Sequence, residues 1–228
     1  MKSLPILLAL ALPLTAGPAV CAPSILNPVH LAGLSPKILS LALAASDRAL
    51  AEIRVANPKL LTVIDYSRPS TEPRLFVLDR TTGTVLRKEL VAHGQGTGEN
   101  YATAFSNDEG SHQSSLGLFL TEDTYLGSNG YSLRLRGLEP GVNDRAEERA
   151  IVMHGAPYVS AEFARQHGRL GRSWGCPALS QEVAHEVIDQ IQGGSLVFAY
   201  YPDYRWLGSS RFLEAVHFAR HAGVNSGR

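Results

Sequence analysis

The apolar residues recur in two periods, and the switch between them divides the chain. Ile38, Leu41, Ala42, Ala45, Ala49 and Ile53 stand three and four apart, the spacing of a helix with one buried face. Ser35-Pro36 provides its start, with proline at the first helical position, and Asn57-Pro58 its end. From residue 60 the apolar runs shorten. Residues 60–66, 74–79 and 85–93 read as strands, the first two separated by a proline-containing turn and the last two by Thr81-Thr82-Gly83-Thr84. Residues 116–125, 131–136, 150–154 and 195–201 follow as further strands. Short strands joined by turns predict an antiparallel sheet. Helical spacing returns at 160–167, at 180–191 (Val183, Val187, Ile188 and Ile191 inward) and at 212–221. The pattern predicts a mainly β core decorated by helices. Residues 94–115 form a long polar stretch rich in Gly, Ser and Asn, and a loop of that size in a compact domain is often functional.

The first residues follow a different rule. Lys2 precedes an apolar run over 4–14, and small residues follow. That order is the form of a secretory signal peptide, and the run is too short to cross a bilayer. Val20-Cys21-Ala22 fits a cleavage site. The expected organisation is 1–22 signal peptide, 23–57 linker and N-terminal helix, and 58–228 a single domain with a C-terminal helix. Export to the periplasm or cell envelope is expected, without stable membrane insertion.

Charge and cysteine content narrow the choices. The 228 residues balance 21 Lys and Arg against 21 Asp and Glu. The basic footprint of nucleic-acid binding is missing. Of the two cysteines, Cys21 lies in the leader-like segment. Its removal would leave Cys176 alone, with no intramolecular disulfide to form. A lone thiol in an oxidising compartment is a liability unless it is buried or useful.

Cys176 sits in Arg169-Leu170-Gly171-Arg172-Ser173-Trp174-Gly175-Cys176-Pro177, and the apolar strand 150–154 ends in His154-Gly155. A free thiol has a pKa of about 8.5 and is mostly protonated at neutral pH. An imidazole that takes its proton leaves a nucleophile. His154 is the candidate base, with Gly155 expected to let the chain turn there. An acyl-transfer site also needs N–H groups aimed at the developing oxyanion. Gly175 and Cys176 offer theirs, whereas Pro177 has none to give. A buried inert cysteine beside a core histidine is the competing reading.

Met153-His154-Gly155-Ala156 followed by Ser173-Trp174-Gly175-Cys176 resembles the signature of the L,D-transpeptidase catalytic-domain family, in its murein L,D-transpeptidase branch. Leu61 to Tyr66, Val91-Ala92-His93-Gly94, Phe105-Ser106-Asn107, Ser114-Ser115-Leu116-Gly117 and Leu133 to Leu138 match that branch too. The likeness runs over about residues 58–201. It implies a β-sandwich-like catalytic domain and a thiol that attacks peptidoglycan stem peptides, releasing D-alanine and forming a thioester on Cys176. An amine from another stem then completes L,D-transpeptidation, or water completes an L,D-carboxypeptidase reaction. The resemblance further implies an imidazole oriented by a backbone carbonyl, and no metal or organic cofactor. Trp174 stands where the wider family usually has histidine, and Ala178 where it often has arginine or asparagine. Substrate binding is therefore expected from Ser173, Trp174, Arg172, Tyr158, His93, Arg134 and Arg136.

Two rival readings complete the set. One is a non-catalytic wall-binding module that kept the fold. The other is a zinc hydrolase using His93, His154 and Cys176. The Gly-rich run after His93 is a weak nucleotide signal with no helix behind it. His217 and His221 stand one helical turn apart with no third ligand evident. Tyr200, Tyr201, Tyr204 and Trp206 are expected to pack rather than to bind sugar.

Overall fold

The computed structural model describes residues 33–213. The leader-like segment 1–22 and the end of the chain with His217 and His221 lie outside them. So does most of the expected terminal helix, of which Phe212 and Leu213 form part of a turn.

Helix α1 (Pro36–Glu52) begins with proline in its first turn and buries Ile38, Leu39, Leu41, Ala42, Ala45, Ser46 and Ala49. This is the predicted stripe, and it lies on β1 (Leu60–Asp65) and β8 (Leu196–Tyr200). Both strands are buried along nearly their whole length, as expected for strands covered on two faces. β3 (Val85–Glu89) instead alternates between half-buried and exposed positions, the mark of a strand with one wet face.

Eight strands form one hydrogen-bonded sheet in the order β3-β2-β1-β8-β4-β5-β6-β7. The others are β2 (Leu75–Asp79), β4 (Gly117–Gly127), β5 (Gly130–Gly137), β6 (Val152–Ala156) and β7 (Ala178–Ser180). The sheet is mixed rather than antiparallel: β1 pairs parallel with β8, and β6 parallel with β7. Parallel neighbours need a crossover. The β6–β7 crossover carries helix α2 (Ala161–His167), capped by the Ser160 side chain on Phe163 N–H. Helix α3 (Gln181–Ile191) then packs back on β6. The segment after β3 meets the far end of the sheet. Ala92 N–H donates to Ala178 O across 2.8 Å, and Gly94 bridges to Ser173. The ladder thus nearly closes on itself, and this seam holds the chain that carries Cys176.

Helix α4 (Tyr204–Ser209), capped by Asp203, lies just before the expected terminal helix. Its Trp206 packs on Phe198 and Tyr200 and donates to Glu139. The aromatic cluster is therefore mainly packing, although Tyr204 is exposed.

Candidate active site

The β6–β7 pairing sets the site. His154 and Ala178 are register partners on parallel strands. Cys176, two residues before Ala178, falls beside Val152, whose N–H points at its sulfur across 3.4 Å. Val152 and His154 are two apart on one strand and share a face. Thiol and imidazole are thereby brought to one rim, and both line a cavity of about 390 Å³ with Asn129, Arg149, Ala150, Tyr158, Arg172, Ser173 and Trp174. His154 stands mid-strand rather than at a strand end, because β6 continues to Ala156. Gly155 therefore makes no turn. Its lack of a side chain admits α3: a Cβ there would lie 3.0 Å from that of Ala184.

His154 is 4% exposed. Its Nδ1 lies 3.0 Å from Gly155 O. A carbonyl can only accept, so Nδ1 carries the proton and Nε2 the free lone pair. Burial pushes the imidazole pKa below its usual value, against the opposing pull of the Gly155 carbonyl. Cys176 is 8% exposed. Burial raises its thiol pKa, opposed by Val152 N–H and the Arg149 charge. The resting pair is thus neutral thiol and neutral imidazole. The sulfhydryl donates to Ala150 O across 3.6 Å, and Ala150 reaches that position with φ +52°, a left-handed conformation uncommon outside glycine.

The turn before the thiol is fixed from two sides. Ser173 Oγ donates to Cys176 O across 2.6 Å and accepts from Gly175 N–H across 3.1 Å. The Gly175 amide, expected to face an oxyanion, is thus turned inward to Ser173. The Cys176 N–H favours the thiolate form of its own side chain. Ser114 Oγ donates to Gly175 O across 3.1 Å and accepts from Gly94 N–H across 3.0 Å. Gly175 has φ +121°, and a Cβ on it would lie 2.8 Å from Gln113 O. The position demands glycine for conformation and for space.

Trp174 is 72% exposed and stacks on His112, with ring centroids 5.0 Å apart and 8° between the planes. Arg172 lines the cavity while its guanidinium holds Gly98 O at 3.0 Å and Glu99 at 2.7 Å. Tyr158 lines it too, and burial pushes its phenol up to about 12, leaving an O–H donor. Three expected substrate residues are elsewhere. Arg134 lies over the Tyr125 ring, and Arg136 pairs with Glu122 across 3.0 Å. Both are exposed and neither lines the cavity. His93 is 1% exposed, with Nδ1 2.8 Å from the buried Arg74 guanidinium and Nε2 3.3 Å from Gly98 O. Both its nitrogens are engaged, so it can serve neither as cleft residue nor as the zinc ligand of the hydrolase reading. Among the described residues no group of three or more His, Cys, Asp or Glu is placed to hold a metal ion.

Arg149 was missed in the sequence. Its guanidinium donates to Ser106 O (2.8 Å), Ser115 Oγ (2.5 Å), Ser111 Oγ (3.3 Å) and Gln113 O (2.6 Å). It therefore binds the long loop to the site. It also lies against the Gly175 α-carbon: a Cβ there would be 3.4 Å from Nη2. Its partners, two backbone carbonyls and two serine hydroxyls, are 34–43 residues away, and contacts at that separation leave no mark in composition or spacing.

A family model described as the L,D-transpeptidase catalytic domain matches residues 31–200. No curated protein matches the chain. Among solved structures, it is similar to an L,D-transpeptidase from Mycobacterium smegmatis (16% identity, 63% of this chain and 59% of that one, TM-score 0.40). It is also similar to an L,D-transpeptidase from Stackebrandtia nassauensis (12% identity, 71% and 66%, TM-score 0.39). The chain thus spans about three fifths of the first of these.

Proposed function

The chain belongs to the L,D-transpeptidase catalytic-domain family, and from that premise we propose that it is an exported cysteine acyltransferase acting on peptidoglycan stem peptides. The observation that carries the reading is the shared cavity of Cys176 and His154, with the imidazole tautomer set by Gly155 O.

In the proposed reaction the sulfhydryl leaves Ala150 O and gives its proton to His154 Nε2 as sulfur attacks the scissile carbonyl. The new oxyanion is met by the Cys176 N–H. The C–N bond to D-alanine breaks, the imidazolium returns its proton to the departing amine, and a thioester remains on Cys176. An amine from a second stem attacks the thioester and gives a proton to Nε2. The C–S bond breaks, and the sulfur is reprotonated. Water in place of the amine gives the carboxypeptidase outcome.

Electrostatics support an anionic peptide donor. Arg149 and Arg172 line the cavity, and no carboxylate is among its described lining residues; Arg172 is paired with Glu99, so the attraction comes chiefly from Arg149. Stem peptides carry carboxylates, which such a wall attracts. Export rests on the signal-like order of residues 1–22, and its test is whether the mature N-terminus maps just after that segment in an envelope fraction. Product analysis with a tetrapeptide stem, with and without an amine acceptor, tests the reaction. A cross-linked product supports transfer, D-alanine release alone supports the carboxypeptidase, and binding without turnover supports the wall-binding module.

A further inference from the structure

Trp174 lines the cavity and is 72% exposed, yet it is not loose. Its ring lies nearly parallel to His112. His112 holds that place with φ +52°, a left-handed conformation uncommon outside glycine, though histidine enters it more readily than most residues. Its Nδ1 lies 3.0 Å from the Gln95 side-chain amide. On the other side, Ser173 and Gly175 fix the backbone around Trp174. A left-handed residue that backs a cavity-lining ring motivates a functional hypothesis. Packing alone does not account for it, because the residue stays largely exposed.

We propose that Trp174, backed by His112, is a stacking platform for a sugar ring of the glycan that bears the stem peptide. The inference rests on the peptidoglycan reading above. An indole face carries negative electrostatic potential, so it favours either a cation or a ring with a polarised C–H face. The cavity decides between them. Arg172 is paired with Glu99, but Arg149 lines the cavity with its hydrogen bonds going to neutral acceptors, and its charge opposes an ammonium on that face. A neutral pyranose brings no such repulsion. Such a ring covers apolar indole surface while its hydroxyls stay in water. The position also fits: Trp174 is two residues from Cys176, so a stem reaching the thiol places its sugar at the outer rim.

The test is a comparison of affinities in Cys176→Ala, which binds without turnover. A disaccharide-tetrapeptide and the free tetrapeptide are titrated by calorimetry. The expected result is a roughly tenfold tighter Kd for the sugar-bearing ligand, equal to about 1.4 kcal/mol. That ratio should fall to within twofold of one in Cys176→Ala/Trp174→Ala and recover in part with Trp174→Phe. Trp174 and the buried Trp206 are the only tryptophans. Titration with the disaccharide alone should therefore alter indole fluorescence in the parent and not in Trp174→Phe. A ratio near one in the parent, or one that survives Trp174→Ala, overturns the inference. Failure of the wild-type protein to acylate on the free tetrapeptide would instead count against the reaction, a separate result.

Discussion

His154 Nδ1 and Gly155 O stand 3.0 Å apart, and that one hydrogen bond decides which nitrogen works as the base. The donor to a carbonyl must be Nδ1–H, so Nε2 is unprotonated. Burial lowers the imidazole pKa, and a base is useful only while neutral. Acylation should therefore hold its rate as pH falls through 6.5, the ordinary histidine value, and decline only below it. Single-turnover acylation across pH 4–8 checks this. A decline already under way above 6.5 would contradict a depressed imidazole.

Arg149 lies beside the Cys176 turn and contributes a charge that favours thiolate. Arg149→Met removes that charge and the loop's anchor together. The pH midpoint for alkylation of Cys176 by iodoacetamide should move up, because a nearby positive charge that favours the thiolate is gone. Arg149→Lys should keep most of the midpoint while losing bonds to the loop. Loss of loop order alone would leave the midpoint where it was.

Gly175→Ala places a Cβ 2.8 Å from Gln113 O and 2.9 Å from Ile151 Cδ1, at φ +121°. Strain of this type costs about 1–3 kcal/mol. We expect a fall of several degrees in Tm and at least a tenfold loss of acylation rate, because the distorted turn carries the thiol. Wild-type values for both would show that the turn tolerates a side chain.

His93 makes stability depend on pH. Burial and the Arg74 charge lower its pKa to about 4, against 6.5 for the free side chain. The unfolded chain takes up this proton first on acidification, so its stabilising contribution is full above 6.5 and is lost between 6.5 and about 4. Denaturant titrations should show stability falling over that window. The decline should be shallower in His93→Gln, which cannot titrate. An equal slope in the variant would assign the effect to other groups.

The sequence carried much of this fold, for physical reasons that also explain the gaps. The α1 stripe, the buried runs of β1 and β8 and the Thr81–Thr84 turn follow from periodicity and turn chemistry, which are local. Parallel pairing is not local. Nothing within residues 60–65 distinguishes β8 as a parallel neighbour, and β7 has three residues, too few to show a period. Gly155 reads as a stop that would end the strand at His154, whereas the glycine instead makes room for α3. Cys176 and His154 were legible because few residue types can act as nucleophile or base. Arg134, Arg136 and His93 have suitable chemistry for a site, but their neighbours engage them elsewhere. Arg149 is not legible in the sequence because its partners, two carbonyls and two serine hydroxyls, lie far away in the chain.

The central claim is that Cys176 becomes acylated. Intact-protein mass spectrometry after mixing with a tetrapeptide stem tests it most directly. The account predicts a mass gain equal to the tetrapeptide less D-alanine, mapped to Cys176 and abolished by Cys176→Ala and His154→Ala. An unmodified Cys176 while D-alanine is released, or an adduct that persists in Cys176→Ala, would contradict it.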